Sequence, residues 1–105
     1  MLLASQGSKS SSVTDNGYVE LDNGLIFQWG IIPKGDWRYT VSFPKAFPHK
    51  CFNILFARIN EIENYTWEHT PVIRSWSTTQ FSIEIRGADR NTASQLTIPW
   101  FAIGY

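Results

Sequence analysis

The chain of 105 residues has a single cysteine and no long apolar run. One thiol, Cys51, can form neither an intrachain disulfide nor a cysteine-based zinc site. No stretch approaches the roughly 20 apolar residues that cross a bilayer, and the apolar start over residues 1–4 is too short for a signal peptide. We therefore expect a buried Cys51, no membrane insertion and assembly in a reducing cytoplasm.

The chain also lacks an excess of charge, since nine basic residues balance nine acidic ones. Without a basic stripe it is a poor candidate for nucleic acid, whose affinity depends largely on neutralised phosphates. His49 and His69 lie twenty positions apart, and no set of His, Asp and Glu has the spacing of metal ligands. We expect no nucleic-acid partner, no metal and no cofactor.

Catalytic motifs are missing too. The chain has no Gly-x-Ser-x-Gly and no glycine-rich phosphate loop. Glu61 and Glu63 are close in sequence, but a glycosidase needs two carboxyl groups at a defined separation across a cleft, one of them desolvated. A polar loop gives no reason to expect that cleft, so we expect a protein that is not an enzyme.

Short alternating segments between turn residues, rich in aromatic side chains, make up most of the chain. No window places apolar residues at helical spacing. The pattern predicts an all-β fold, a small antiparallel β-sandwich of six or seven strands, with longer connections over residues 31–38, 60–71 and 87–94. Residues 1–16, mostly small and polar, are expected to be a flexible lead-in, and residues 17–105 the folded domain.

Alternation also predicts which side chains face the core. Asn23 and Gly24 predict a hairpin with a two-residue type I′ turn, and a second hairpin is expected over residues 72–85. The apolar residues that share a face within a strand are Leu25, Phe27 and Trp29; Tyr39, Val41 and Phe43; and Phe81, Ile83 and Ile85. Residues 52–59 are apolar on both faces nearly throughout, which favours a central strand.

The closing segment is apolar on both faces of its predicted strand. One face carries Leu96, Ile98, Trp100 and Ala102, and the other carries Thr97, Pro99, Phe101, Ile103 and Tyr105. Chain ends are usually polar and frayed unless something holds them in place. Two apolar faces need two covers, so we expect the core of the chain on one side and another subunit on the other.

Three sequence patterns occur in order over residues 16–105. They are Gly-Tyr leading to Leu-Asp-Asn-Gly-Leu-Ile-Phe-Gln-Trp-Gly, a central Phe-Pro-Lys-Ala-Phe-Pro, and a final Trp-Phe-Ala-Ile-Gly-Tyr. Together they resemble the C-terminal tip domain of phage and prophage tail fibres, although Asp22 stands where proline is common. The resemblance implies a parallel homotrimer in the virion, at the fibre tip, assembled in the host cytoplasm, with residues 1–16 near a shaft junction. The second half carries Val41-Ser42-Phe43, Phe81-Ser82-Ile83 and a closing Ile98-Pro99-Trp100-Phe101-Ala102-Ile103-Gly104. On these residues it is also similar to H-type lectins, which bind a sugar.

Two of the connections carry residue types that suit a sugar. Aromatic planes can cover the apolar face of a sugar ring, and amide, carboxylate and imidazole groups can fix its hydroxyl groups. The candidates are Asn64, Tyr65, Trp67, Glu68 and His69 in one connection and Asp89, Arg90 and Asn91 in the other. Turn chemistry explains Asp and Asn equally well. A third stretch, Trp37, Arg38 and Tyr39, suits packing better than binding.

These observations lead to one hypothesis with two alternatives. The chain is expected to be the receptor-binding tip of a tail fibre that recognises a bacterial surface polysaccharide or lipopolysaccharide. In the first alternative it is a structural cap that holds the fibre trimer together while another segment binds the host. In the second it is a small polysaccharide depolymerase.

Overall fold

The computed structural model describes residues 8–57, 70–86 and 96–105, and these ranges hold eight β-strands. The strands are β1 (Ser8–Ser12), β2 (Gly17–Leu21), β3 (Ile26–Ile32), β4 (Arg38–Ser42), β5 (Cys51–Phe56), β6 (Thr70–Trp76), β7 (Gln80–Arg86) and β8 (Ile98–Gly104). No helix occurs within the described ranges, and no membrane-spanning helix is found there.

The strands form two antiparallel sheets packed face to face. The large sheet has the order β1-β2-β3-β8-β5 and the small sheet the order β4-β7-β6. Apolar side chains from both sheets make one buried cluster between them. The predicted all-β sandwich is therefore confirmed, with eight strands where six or seven were expected.

The additional strand lies in the segment expected to be a flexible lead-in. Ser8–Ser12 pairs with β2 along the free edge of the large sheet, with Ser12 opposite Tyr18. Strand pairing is made by backbone groups, so a serine-rich segment with little to bury can still extend a sheet. The lead-in therefore contains a regular element that its composition did not predict.

Strand β8 places one of its two apolar faces in the core. Ile98, Trp100 and Ala102 are buried, and the Trp100 ring meets the Phe81 ring of the opposite sheet at 5.2 Å between centroids. Phe101, on the other face, is exposed. The chain therefore supplies the first of the two expected covers.

The predicted faces of the small sheet are confirmed. In β7 the inward residues Phe81, Ile83 and Ile85 are almost fully buried. Strand β4 directs Tyr39 and Val41 against the same core, and the next residue of that parity, Phe43, is buried. Strands β6 and β7 form the second expected hairpin. Strict alternation gave these faces because the opposite side of each strand is polar.

The face predicted for β3 is the outer one, which corrects the expectation for this strand. The buried positions are Ile26, Gln28, Gly30 and Ile32, whereas Phe27 and Trp29 lie half-buried on the opposite side. Gln28 is fully buried in spite of its amide. Its Nε2 donates to the Lys45 carbonyl, and the Lys45 N–H donates to its Oε1 at 2.8 Å. Because the Gln28 amide makes hydrogen bonds through both its nitrogen and its oxygen, its burial avoids the usual free-energy cost of a polar side chain in the core.

Two further expectations are corrected. Among the described strands, β5 lies at the edge of the large sheet and pairs only with β8, although its apolar faces favoured a central place. Its Phe52 and Leu55 are exposed on the outer side. The first hairpin turn has three residues between Leu21 and Leu25 instead of two. The Leu21 N–H donates to the Leu25 carbonyl at 2.8 Å, and Gly24, the last of the three, has a positive φ.

Gly30 is required by close packing. It lies in the middle of β3, where a Cβ atom would collide with the Trp100 indole and the Asn16 side chain. The absence of a side chain therefore lets the Trp100 indole pack closely against Gly30. This contact connects the buried face of β8 to β3, where Gly30 is the cross-strand neighbour of Trp100.

Replacing Gln28 tests the buried amide. Gln28→Leu keeps the size of the side chain but leaves the Lys45 N–H and carbonyl unpaired, so we expect a loss of about 2 kcal/mol or more in unfolding free energy. The measurement is denaturant unfolding at fixed protein concentration. Gln80→Leu is the matched control, because Gln80 is exposed, and it should change stability little. Equal effects of the two substitutions would contradict the account.

Cys51 gives a second prediction. The side chain is buried as expected, and burial raises the pKa of its thiol. We expect iodoacetamide at pH 8 to label the native chain at least roughly tenfold more slowly than the unfolded chain, since the thiolate is the reactive form. Because the thiol pKa is higher in the folded chain than in the unfolded chain, its contribution to stability is fully present below the unfolded pKa. The contribution is lost as the pH rises through the folded pKa. Equal labelling rates would contradict the burial.

Candidate functional site

The eight predicted sugar-binding residues lie outside the described residues. They are Asn64, Tyr65, Trp67, Glu68 and His69 in one connection and Asp89, Arg90 and Asn91 in the other. Their part in binding therefore stays a prediction. The structure does describe the ends of the strands on either side of these connections.

The flanking strands of both connections end together. The first connection leads into β6 at Thr70, the second leaves β7 at Arg86, and Thr70 and Arg86 are paired. On the large sheet, Phe56 at the end of β5 pairs with Trp100 near the start of β8. Topology therefore brings the attachment points of the two predicted sites to one end of the sandwich, here called the loop end.

The connection between β3 and β4 lies at the same end and is well fixed. The Tyr39 hydroxyl lies 2.8 Å from the Asp36 carbonyl and accepts from the Asp36 N–H at 2.8 Å. The Ile85 N–H donates to the Trp37 carbonyl at 2.8 Å, which ties the connection to β7. Trp37 packs against the core, with the Arg38 guanidinium 4.2 Å above its ring. These contacts support packing as the role of Trp37 and Tyr39, whereas Arg38 faces solvent.

A shallow polar groove runs from the loop end across the outer face of the small sheet. Its volume is about 340 Å³, and its lining includes the exposed residues Arg38, Thr40 and Arg74 and the half-buried residues Ser82 and Glu84. Register explains the grouping, because Arg38 lies opposite Glu84 and Thr40 opposite Ser82 on adjacent strands. The sequence did not predict this groove, although the outward position of Ser82 and Glu84 was clear from alternation.

Glu84 is the carboxylate around which the groove is organised. Its side chain is 12% exposed, and its two oxygens receive Arg38 Nε at 3.2 Å and Arg86 Nε at 2.7 Å. The two guanidinium groups are themselves more than half exposed. One acid therefore holds two bases in place at the surface, and their unused N–H groups face solvent.

The outer face of the large sheet is apolar. Phe101 lies between Trp29 of β3 and Leu55 of β5 as their direct cross-strand neighbour, and its ring stacks on that of Phe27 at 6.0 Å. Next to this group, the Tyr105 ring stacks on Phe52 at 5.3 Å. We call this surface the outer apolar face; its exposed members are Ile31, Phe52, Leu55, Phe101 and Tyr105. Monomeric proteins seldom expose so continuous an apolar surface.

No group of three or more metal-ligating side chains occurs among the residues whose positions are described. His49, one of the two histidines, stacks its ring on Tyr105 at 5.0 Å. That contact gives it a packing role at the end of the sandwich opposite the loop end.

Comparison with solved structures identifies the class of fold. A P. aeruginosa R2 pyocin fibre structure superposes with a TM-score of 0.71 at 23% identity, covering 91% of this chain and 25% of that chain. An N-truncated R1-type pyocin tail fibre gives a TM-score of 0.67 at 27% identity, covering 91% of this chain and 84% of that chain. The fold is that of a C-terminal domain of a pyocin tail fibre.

The sequence identifies the family. Residues 20–105 match the family described as putative tail fiber protein gp53-like, C-terminal. This chain therefore belongs to that family, and the resemblance to a phage tail-fibre tip is confirmed. An uncharacterised protein of Methanocaldococcus jannaschii, MJ0347, is 34% identical over 97 residues, and the match spans 87% of this chain and 64% of that protein.

Proposed function

We propose that the chain is the receptor-binding tip of a tail fibre and that it recognises a glycan on the bacterial surface during adsorption. The main support is that the strand ends from which three long connections start lie together at the loop end of the sandwich, in a chain that belongs to a tail-fibre family. Binding residues are concentrated on loops that a scaffold holds in position. The role is recognition without cleavage.

The two predicted loop sites would supply the contacts. Trp67 and Tyr65 offer flat apolar surfaces at low entropic cost. Arg90 can pair with a carboxylate or phosphate on a sugar. A polysaccharide or lipopolysaccharide carries both apolar ring faces and such polar groups, and the similarity to H-type lectins agrees with a sugar ligand.

The outer apolar face is proposed to bind two further copies of the chain in a parallel homotrimer. Strand β8 has its core cover inside the chain, and its other face exposes Phe101 and Tyr105. A hollow of about 250 Å³ between Leu55, Pro99 and Phe101 could take a side chain from a neighbour. Burying aromatic side chains of this size stabilises an interface by roughly 25 cal/mol per Å² before the costs of association.

A trimer would also explain how weak sugar sites act. Three sites on one tip engage together when the receptor is repeated on a surface, and avidity can then exceed the single-site affinity by roughly 10²–10⁴. The tip would lie at the end of the fibre in the virion or a related particle, after assembly in the host cytoplasm. Residues 1–16, including β1, would join it to a shaft.

The structural cap is the second candidate function. The observation that favours it is the outer apolar face itself, because trimer formation needs that face and no ligand. In this reading the loop residues have no contact with the receptor. Adsorption would then be insensitive to the loops and sensitive only to assembly.

Loop substitutions distinguish these two functions. If the tip binds the receptor, Trp67→Ala and Arg90→Ala should each lower the binding of labelled protein to receptive bacterial cells by roughly tenfold, as loss of one main contact does. Flow cytometry over a panel of strains measures this. Asp22→Ala is the control, because Asp22 is exposed in the turn at the opposite end. Unchanged binding by both loop variants would support the cap.

A charge on the outer apolar face tests the trimer. Phe101→Glu would place a carboxylate in the middle of the interface, where it could not be solvated, so we expect dissociation to single chains with the β-sheet signal kept. Sedimentation velocity and circular dichroism measure the two effects. Trp76→Glu is the control, because Trp76 is similarly exposed on the small sheet. Dissociation of both variants, or of neither, would contradict the assignment of this face.

A further inference from the structure

We propose that the groove on the small sheet binds an anionic sugar, one that carries a carboxylate or a phosphate. Its lining includes Arg38, Thr40, Arg74, Ser82 and Glu84. The inference rests on the proposed function, because it assigns the chemical class of one glycan unit that the tip recognises. It adds a site made by strands to the two sites predicted in the loops.

The floor of the groove offers hydroxyl groups at the spacing of a hydrogen bond. Thr40 Oγ1 and Ser82 Oγ lie 3.1 Å apart across β4 and β7. Each hydroxyl can donate one bond and accept others. A pair of this kind can exchange its mutual bond for bonds to neighbouring hydroxyl groups of a sugar without leaving a group unpaired.

Charge in the groove favours an anion. Glu84 is shared by Arg38 and Arg86, so the single carboxylate is already engaged. Arg74 lines the groove from β6, is exposed, and makes no ion pair with any residue in the described ranges. Among the described residues, the two guanidinium groups that line the groove, those of Arg38 and Arg74, and the neighbouring one of Arg86 face a single carboxylate, which leaves an excess of positive charge. A guanidinium binds a carboxylate or phosphate through two parallel hydrogen bonds.

Size and position agree with this ligand. The volume of about 340 Å³ is at the small end of the range for ligand sites, roughly 300–1,000 Å³, and suits one or two sugar units. The Arg38–Glu84 pair lies at the loop end of the sheet, so a longer glycan could pass from the groove to the loops. The groove is on the small sheet, so the proposed trimer face on the large sheet leaves it open to solvent.

Titration of the full chain with defined sugars tests the groove. Glucuronic acid and glucose 6-phosphate are the probes, glucose is the neutral control and inorganic phosphate is the control for simple anion binding. Two-dimensional amide NMR should show saturable shifts in β4 and β7 with the acidic sugars, weaker with glucose and weakened by added salt. A preference for glucuronic acid assigns a carboxylate-bearing polysaccharide, and a preference for glucose 6-phosphate assigns a phosphorylated lipopolysaccharide core.

Substitution of Arg74 makes the test specific. Arg74→Ala should raise the dissociation constant for both acidic sugars about tenfold or more. Arg74→Lys should restore part of the affinity, because lysine keeps the positive charge but lacks the planar guanidinium that makes two parallel hydrogen bonds. Lys50→Ala, which removes one exposed positive charge elsewhere, should have no effect. Three results would each contradict the proposal that the groove binds an anionic sugar. They are equal amide shifts with glucose, amide shifts with inorganic phosphate alone, and full affinity in Arg74→Ala.

Cell binding separates this inference from the proposed function. A tip that binds cells and loses affinity in Arg74→Ala supports both. If the tip binds cells equally well with Arg74→Ala, the groove is overturned and the receptor-binding function stands. If the unmodified tip binds no strain, the receptor-binding function fails, and the sugar titration alone decides the groove.

Discussion

The position of β8 inside the large sheet, between β3 and β5, is the constraint on which the rest of the fold depends. It is hydrogen-bonded to β3 on one side and to β5 on the other, so its backbone has no free edge along the paired length. Its inner side chains, with Trp100 at the centre, hold the small sheet through Phe81. Its outer side chains make the apolar surface that we assign to neighbouring subunits. One strand thus links the core of the chain to the proposed trimer interface.

Much of this architecture could be predicted from alternation, and the failures have physical causes. The faces of β4 and β7 were readable because the outward parity of each strand is polar, whereas both parities of β8 are apolar and its sequence did not say which one meets the core. The inward face of β3 was predicted wrongly because Phe27 and Trp29 are more apolar than Gln28. The burial of Gln28 depends on hydrogen bonds to the backbone of Lys45, which is distant in sequence. An apolar surface awaiting a partner looks the same in sequence as a buried one, which is why β5 was expected at the centre.

The candidate site shows the same division between local and distant information. Residue types in the two loops indicated a sugar ligand, but only strand register shows that the connections carrying them start from one end of the sandwich. The groove could not be found from the sequence, since Thr40, Arg74 and Ser82 come from three strands whose pairing had to be known. Family membership fixes the tail-fibre class, while the ligand depends on these local surfaces.

The most direct test of the central claim is the solution mass of the unmodified chain, measured by light scattering at micromolar concentration. The account predicts a mass three times that of the 12.0 kDa chain, because the outer face of β8 is left exposed by the residues that the structure describes and is assigned to neighbouring subunits. A single-chain mass that persists on raising the concentration would contradict it. The apolar outer face would then have no assigned role, and the trimeric tip would have to be abandoned.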